Sequence, residues 1–91
     1  MAVYMITYDL NKPGQNYDKL YEAIKKCASN DVWMHYLDST WFIKTNLSTK
    51  QVFEKLEPNI DRNDSLLVME VKDNYYGRLP KDAWDYLAKM F

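Results

Sequence analysis

Glycine, proline, cysteine and histidine are all scarce in this chain of 91 residues, and each shortage excludes something. Gly14 and Gly77 are the only glycines, so there is no glycine-rich loop to cradle phosphates and no basis for nucleotide-cofactor chemistry. The single cysteine, Cys27, permits neither an internal disulfide nor a thiolate cluster for a metal. It falls three residues after Ile24, which suits a partly buried small hydrophobe on a helix. With His35 the only histidine, no HExxH motif exists and no nucleophile, base and orienting group can be assembled, which excludes hydrolytic triads. Neither sign of charge dominates: 12 basic and 13 acidic residues leave a net charge of -1. A protein that grips nucleic acid mainly by neutralising phosphates normally carries a strongly basic face. The two local basic features, Lys19, Lys25 and Lys26 on one side and the pair Arg78 and Lys81 on the other, read most simply as solvated surface. No apolar run approaches bilayer length and no signal peptide opens the chain. The expectation is a cytoplasmic protein in a reducing compartment, with no membrane partner.

Aromatic residues are abundant for this length, with three Trp, eight Tyr and three Phe. Either the rings pack an unusually aromatic core or several lie at an interface, where Trp and Tyr are enriched. A homodimer is therefore expected. The length suits a single domain, 1–91, whose own core stabilises it only modestly.

The punctuation along the chain divides it into seven elements. Val3 to Tyr8 is an almost unbroken run of strand formers, as in a central strand covered on both faces. Asn11-Lys12-Pro13-Gly14 reads as a turn or loop. Tyr17, Leu20, Tyr21, Ile24 and Ala28 then recur at helical spacing, with Gln15 or Asn16 at the start and Ser29-Asn30-Asp31 at the end. Val32 to Leu37 and Thr40 to Thr45 flank Asp38-Ser39 as a β-hairpin, or as one long bent strand. Alternation sets His35 on the face of Trp33 and Leu37. Ser48 with Gln51 three residues on forms a capping-box pattern for a second helix, whose apolar face is Val52, Phe53, Leu56 and Ile60 and whose last turn holds Pro58. Leu66 to Val71 is the fourth strand. Pro80 opens a final helix on which Ala83, Trp84, Leu87, Ala88 and Phe91 share a face, and Asp82, Asp85 and Lys89 suit the helix dipole. The order β-α-β-β-α-β followed by an extra C-terminal helix predicts an α+β, ferredoxin-like sandwich of two helices on a four-stranded antiparallel sheet. The extra helix is expected to cover a sheet edge.

Asp9, at the exit of the first strand, is the residue best placed for chemistry, because a strand end holds a carboxylate rigidly. The same position equally serves a turn or a helix cap. His35 is the only group apart from carboxylates that can act as a base near neutral pH, though it equally reads as a half-exposed strand histidine. Trp33, Tyr36, Trp41 and Phe42 crowd the hairpin. They read as core or dimer interface rather than as a base-stacking platform, since the glycine-aromatic signature and basic surround of such platforms are missing.

Three short motifs, Tyr8-Asp9-Leu10, Ser39-Thr40-Trp41 and Asp64-Ser65-Leu66, occur in the order and spacing of the small subunit of the CRISPR adaptation machinery. The chain resembles that family and its relatives, the virulence-associated protein D ribonucleases, over roughly residues 3 to 71. The resemblance implies a ferredoxin-like dimer in which Asp9 of both subunits holds a divalent metal such as Mg²⁺, an ion that suits carboxylate and water oxygens. It places Ser39 near the same cleft. The chain departs from the pattern where adaptation subunits carry Arg and Gln before the Ser, for it has His35 and Leu37 there. The loop after Asp9 and the tail from Tyr75 depart as well.

Two functions follow as expectations. One is a dimeric interaction module, acting on a protein or nucleic-acid partner with little or no catalysis; the sparse catalytic inventory favours it. The alternative is a metal-dependent nuclease acting on RNA or DNA through Asp9 of both subunits.

Overall fold

The computed structural model describes residues 1–11 and 17–91. The loop expected over Asn11 to Gly14 and the helix start expected at Gln15 or Asn16 fall largely or wholly outside the described residues. Four strands and three helices follow one another as β1 (Ala2–Asp9), α1 (Tyr17–Cys27), β2 (Trp33–Leu37), β3 (Thr40–Thr45), α2 (Thr49–Leu56), β4 (Ser65–Val71) and α3 (Lys81–Met90). The strands form one antiparallel sheet in the order β2-β3-β1-β4. The connection through α1 therefore passes over β3, and the connection through α2 passes over β1. The chain is a small mixed α+β domain.

Strand alternation sorts the side chains into two layers. Tyr4, Ile6 and Tyr8 of β1 with Trp41 and Ile43 of β3 point to one face and are buried there. Leu20, Ile24 and Cys27 of α1 and Val52 and Leu56 of α2 complete that main core. The helices bury these residues because they recur three and four apart, forming one stripe on each helix. The Cys27 position expected to be partly buried is in the core, at 4% exposure.

Among the described residues the second face is covered at one end only. Val3 of β1 and Met34 of β2 pack with Leu87 and Met90 of α3, joined by Phe42, Val71, Leu79 and Trp84. The final helix thus lies on a sheet face, whereas the sequence suggested a sheet edge. Its buried residues are Ala83, Leu87 and Met90, spaced by four and three. Ala83, Trp84 and Leu87 lie on the packed face as expected, but Ala88 and Phe91 are exposed and Met90 is buried in the last turn.

Local chemistry sets the boundaries. After α1 the chain turns through Ser29–Asp31, with Asn30 and Asp31 at φ 54° and 57°. Asn and Asp tolerate this left-handed region better than other non-glycine residues. Ser48 caps α2: its Oγ accepts from the Gln51 N–H at 3.1 Å, and Gln51 Oε1 accepts from the Ser48 N–H at 2.9 Å. Replacing Ser48 with alanine removes the acceptor of the Gln51 N–H and is expected to cost about 1 kcal/mol, read from the urea midpoint. Pro58 sits in a short 3-10 turn, Glu57–Asn59, that finishes the helix.

Expectation and structure part in β2. The hairpin forms around Asp38-Ser39, but the β2–β3 register breaks between Met34 and Leu37. Trp33 still pairs with Ile43 on the main-core face, while Leu37 pairs with Thr40, which lies on the second face beside Thr7. His35 therefore shares a face with Trp33 but not with Leu37.

Candidate functional site

Asp9 ends β1 opposite Ser65 of β4 and is exposed. Two tethers hold this end of the sheet. On one side the β2–β3 turn closes over β1: the Tyr8 N–H donates to Ser39 O at 3.2 Å, and Thr7 Oγ1 donates to the same oxygen at 3.2 Å. On the other, the Asn11 N–H donates to Asp64 Oδ1 at 2.9 Å and its side-chain amide donates to Asn63 O. Asp64 also accepts from the Asp61 N–H at 2.8 Å. Asp64 thus braces the loop before β4 and ties it to the residues just beyond Asp9, a role visible only once β1 and β4 are neighbours.

A cleft of about 280 Å³ opens between the β1 end, the start of α1 and the β2–β3 turn. Asp9, Asp38 and Ser39 supply its polar groups, and Tyr8, Tyr17 and Tyr21 its rings. Asp9 and Ser39 therefore meet in one cleft. His35 does not line it; its ring stacks on Trp41 at 4.1 Å with 11° between planes, and its Nε2 lies 2.9 Å from Asp38 O. The histidine thus touches the cleft only through the backbone of the turn. Asp38 was not singled out from the sequence, where it reads as an ordinary turn former.

Behind the cleft lies a cluster of rings. Trp41, 1% exposed, meets Tyr21 and Trp33 at centroid distances of 5.2 Å each, and its Nε1–H donates to the Tyr8 hydroxyl at 3.3 Å. The Tyr8 O–H in turn reaches Asp38 O at 3.4 Å. Burial first, and a hydrogen bond with Tyr21 next, push the Tyr8 phenol well above the ordinary tyrosine range. Burial also raises Tyr4 and the Cys27 thiol. For each group the folded-state value exceeds the unfolded one, so the fold favours the protonated form. Their contribution to stability is whole below the unfolded values and declines as pH rises past them. The melting temperature is expected to fall beyond the ordinary cysteine and tyrosine values of 9.0 and 10.0. The decline should be shallower in Tyr8→Phe, measured by thermal unfolding across alkaline pH.

Among the described residues, no group of three or more His, Cys, Asp and Glu could hold a metal ion. Asp9 and Asp38 are the carboxylates of the cleft.

A second feature adjoins Asp9 on the far side of the sheet. By alternation Met5, Thr7 and Asp9 share the face that α3 covers at its other end, and Leu67 and Met69 of β4 sit directly opposite Thr7 and Met5. Leu67 and Met69 are each 48% exposed. A shallow depression of about 250 Å³ joins Thr7, Asp9, Ser65 and Leu67. The candidate site thus has an acidic, ring-lined cleft on one side of the β1 end and an open apolar sheet face on the other. No helix among the described residues is long and apolar enough to cross a membrane. No family model matches the chain, and no curated protein matches it in sequence.

Proposed function

We propose that the chain is a ferredoxin-like interaction module that pairs with a second copy through the open end of its sheet, with little or no catalysis of its own. The β-α-β-β-α-β order, the strand sequence β2-β3-β1-β4 and the packing of α1 and α2 on a common face support the fold reading. The observation that carries the interaction reading is the half-covered second face. An antiparallel sheet with one open face normally presents polar side chains there, yet α3 stops short of Met5, Thr7, Leu67 and Met69, and three of these four are apolar, with Leu67 and Met69 exposed. A two-fold copy placed on this patch would bury those side chains against their own equivalents, as an isologous interface requires. Asp9 would lie at the rim of such a pair, available to a protein or nucleic-acid partner in a cytoplasmic setting.

The second reading, a metal-dependent nuclease, is favoured by the placement of Asp9 on the same face as the patch. Packing of that face would bring two copies of Asp9 toward one another, and two facing carboxylates need a cation such as Mg²⁺ or a shared proton between them. Against it stands the sparse inventory: His35 stacks against Trp41 away from the cleft, and Ser39 has no base beside it among the described contacts.

The experiment is an assay of single- and double-stranded RNA and DNA with Mg²⁺ or Mn²⁺, comparing the parent with Asp9→Ala. The interaction reading predicts the same background with both proteins. Metal-dependent cleavage by the parent that disappears in Asp9→Ala, with the assembly state unchanged, overturns it in favour of the nuclease.

A further inference from the structure

The two edges of the sheet differ in a way that matters for recognition. β2 pairs with β3 only at Trp33, Met34 and Leu37, with a register break between them, and Lys25 of α1 and Tyr86 of α3 lie beside its outer side. Bulges of this kind twist an edge and interrupt its row of free backbone groups, a common defence against unwanted pairing. β4 has no such defence. Its seven residues pair with β1 without a break, from Ser65 opposite Asp9 to Val71 opposite Val3. It ends the sheet order, contains no proline or lysine, and has one charged residue, Glu70. Among the described residues no strand meets its outer side. The row of backbone donors and acceptors on an edge strand is a template for pairing with another chain.

Beside the start of this edge is a cleft of about 470 Å³ between α2 and β4. Phe53, Ile60 and Leu66 give it apolar walls. Glu57, Asp61 and Asp64 outnumber its single cation, Arg62, so the cleft is acidic. Glu57 is exposed at the end of α2.

We propose that β4 is a strand-addition edge: an extended peptide of alternating apolar residues, carrying Lys or Arg where it passes the α2 cleft, pairs with β4 as a fifth strand. Backbone pairing supplies the affinity of such complexes and alternate side chains supply the selectivity. Here one set of side chains enters the space lined by Phe53, Ile60 and Leu66, and the basic residue meets Glu57. The other set continues the surface of Leu67 and Met69. This inference goes beyond the pairing of copies and does not rest on it, because the β4 edge and the cleft beside α2 carry it whether or not a second copy covers Leu67 and Met69.

The test is fluorescence anisotropy of a short fluorescein-labelled peptide, alternating valine and threonine with a terminal lysine, titrated against the full chain. Hydrogen exchange on the same mixture reports which amides are protected. Saturable binding is expected, with exchange slowed in Ser65–Val71 and unchanged in Trp33–Leu37. Glu57→Lys should weaken binding about fivefold, and a proline at the peptide's centre should abolish it. No saturable binding, binding indifferent to that proline, or protection elsewhere than β4 overturns the proposal. If β4 amides are instead protected without peptide in proportion to protein concentration, the edge belongs to a second copy and the proposal again fails. Light scattering on the peptide-free chain reads the pairing of copies separately.

Discussion

Trp41→Ala is expected to lower the unfolding free energy by about 3–5 kcal/mol, the range for emptying a large aromatic site in a packed core. Trp41 is 1% exposed, with His35 stacked on it and Tyr21 and Trp33 against it. Its removal leaves four rings, counting Tyr8, around a void, and the Tyr8 hydroxyl loses its donor. Domains unfold at a total cost of about 5–15 kcal/mol, and small ones sit low in that range. The loss therefore takes most of the available stability, a drop on the order of 10–30 °C in melting temperature. Far-UV circular dichroism in urea measures it. Tyr36→Ala, at a ring 50% exposed on the same hairpin, should stay within about 0.5 kcal/mol of the parent. Equal midpoints for Trp41→Ala and the parent would show that the ring cluster is not part of the core.

The second large effect is on assembly. Leu67→Lys places an ammonium in the middle of the open face, opposite Thr7, where a two-fold copy would have to desolvate it. Desolvating an unpaired charge costs several kcal/mol, enough to turn a micromolar dimer into a monomer at any practical concentration. Because Leu67 is 48% exposed, the fold itself should keep its melting temperature within a few degrees. Met69→Lys should act in the same direction. Light scattering on both variants at tens of micromolar checks this; a dimer that survives both substitutions would move the interface elsewhere.

The main-core face was legible from the chain because its signals are local. Leu20 and Ile24 repeat at helical spacing, and Ser48 and Gln51 cap each other within one turn, whereas Val3 to Tyr8 reads as an unbroken run, so that Tyr4, Ile6 and Tyr8 face this core emerges only from the fold. Asp38-Ser39 also marked the hairpin. The break between Met34 and Leu37 was not legible, since a bulge leaves the residue types unchanged while shifting which face they take. The same limit applies to α3. Its amphipathic stripe was visible, but whether Met90 or Phe91 is buried depends on a rotation set by Val3 and Met34, far away in sequence.

For the candidate site, Asp9 and Ser39 were identifiable as a strand end and a turn, and the fold brings both to one cleft. Asp38 was not singled out, and Asp64 entered only as the first residue of the Asp64-Ser65-Leu66 motif, without its bracing role. Asp38 lines the cleft through a turn position that any polar residue can occupy, and Asp64 works by bonding Asn11, a contact that exists only because β4 pairs with β1. The exposure of Leu67 and Met69 was hidden for another reason. In the sequence, Leu66 to Val71 is apolar at every position but Glu70, and the reach of α3 decides which of its residues remain open.

The most direct measurement is the mass of the parent chain by light scattering on a size-exclusion peak at tens of micromolar. A mass of twice 10.9 kDa, falling to the single-chain value in Leu67→Lys with the fold intact, is the predicted result. A parent that elutes as a 10.9 kDa monomer at that concentration would contradict the pairing of copies and, with it, any site shared between two Asp9 side chains.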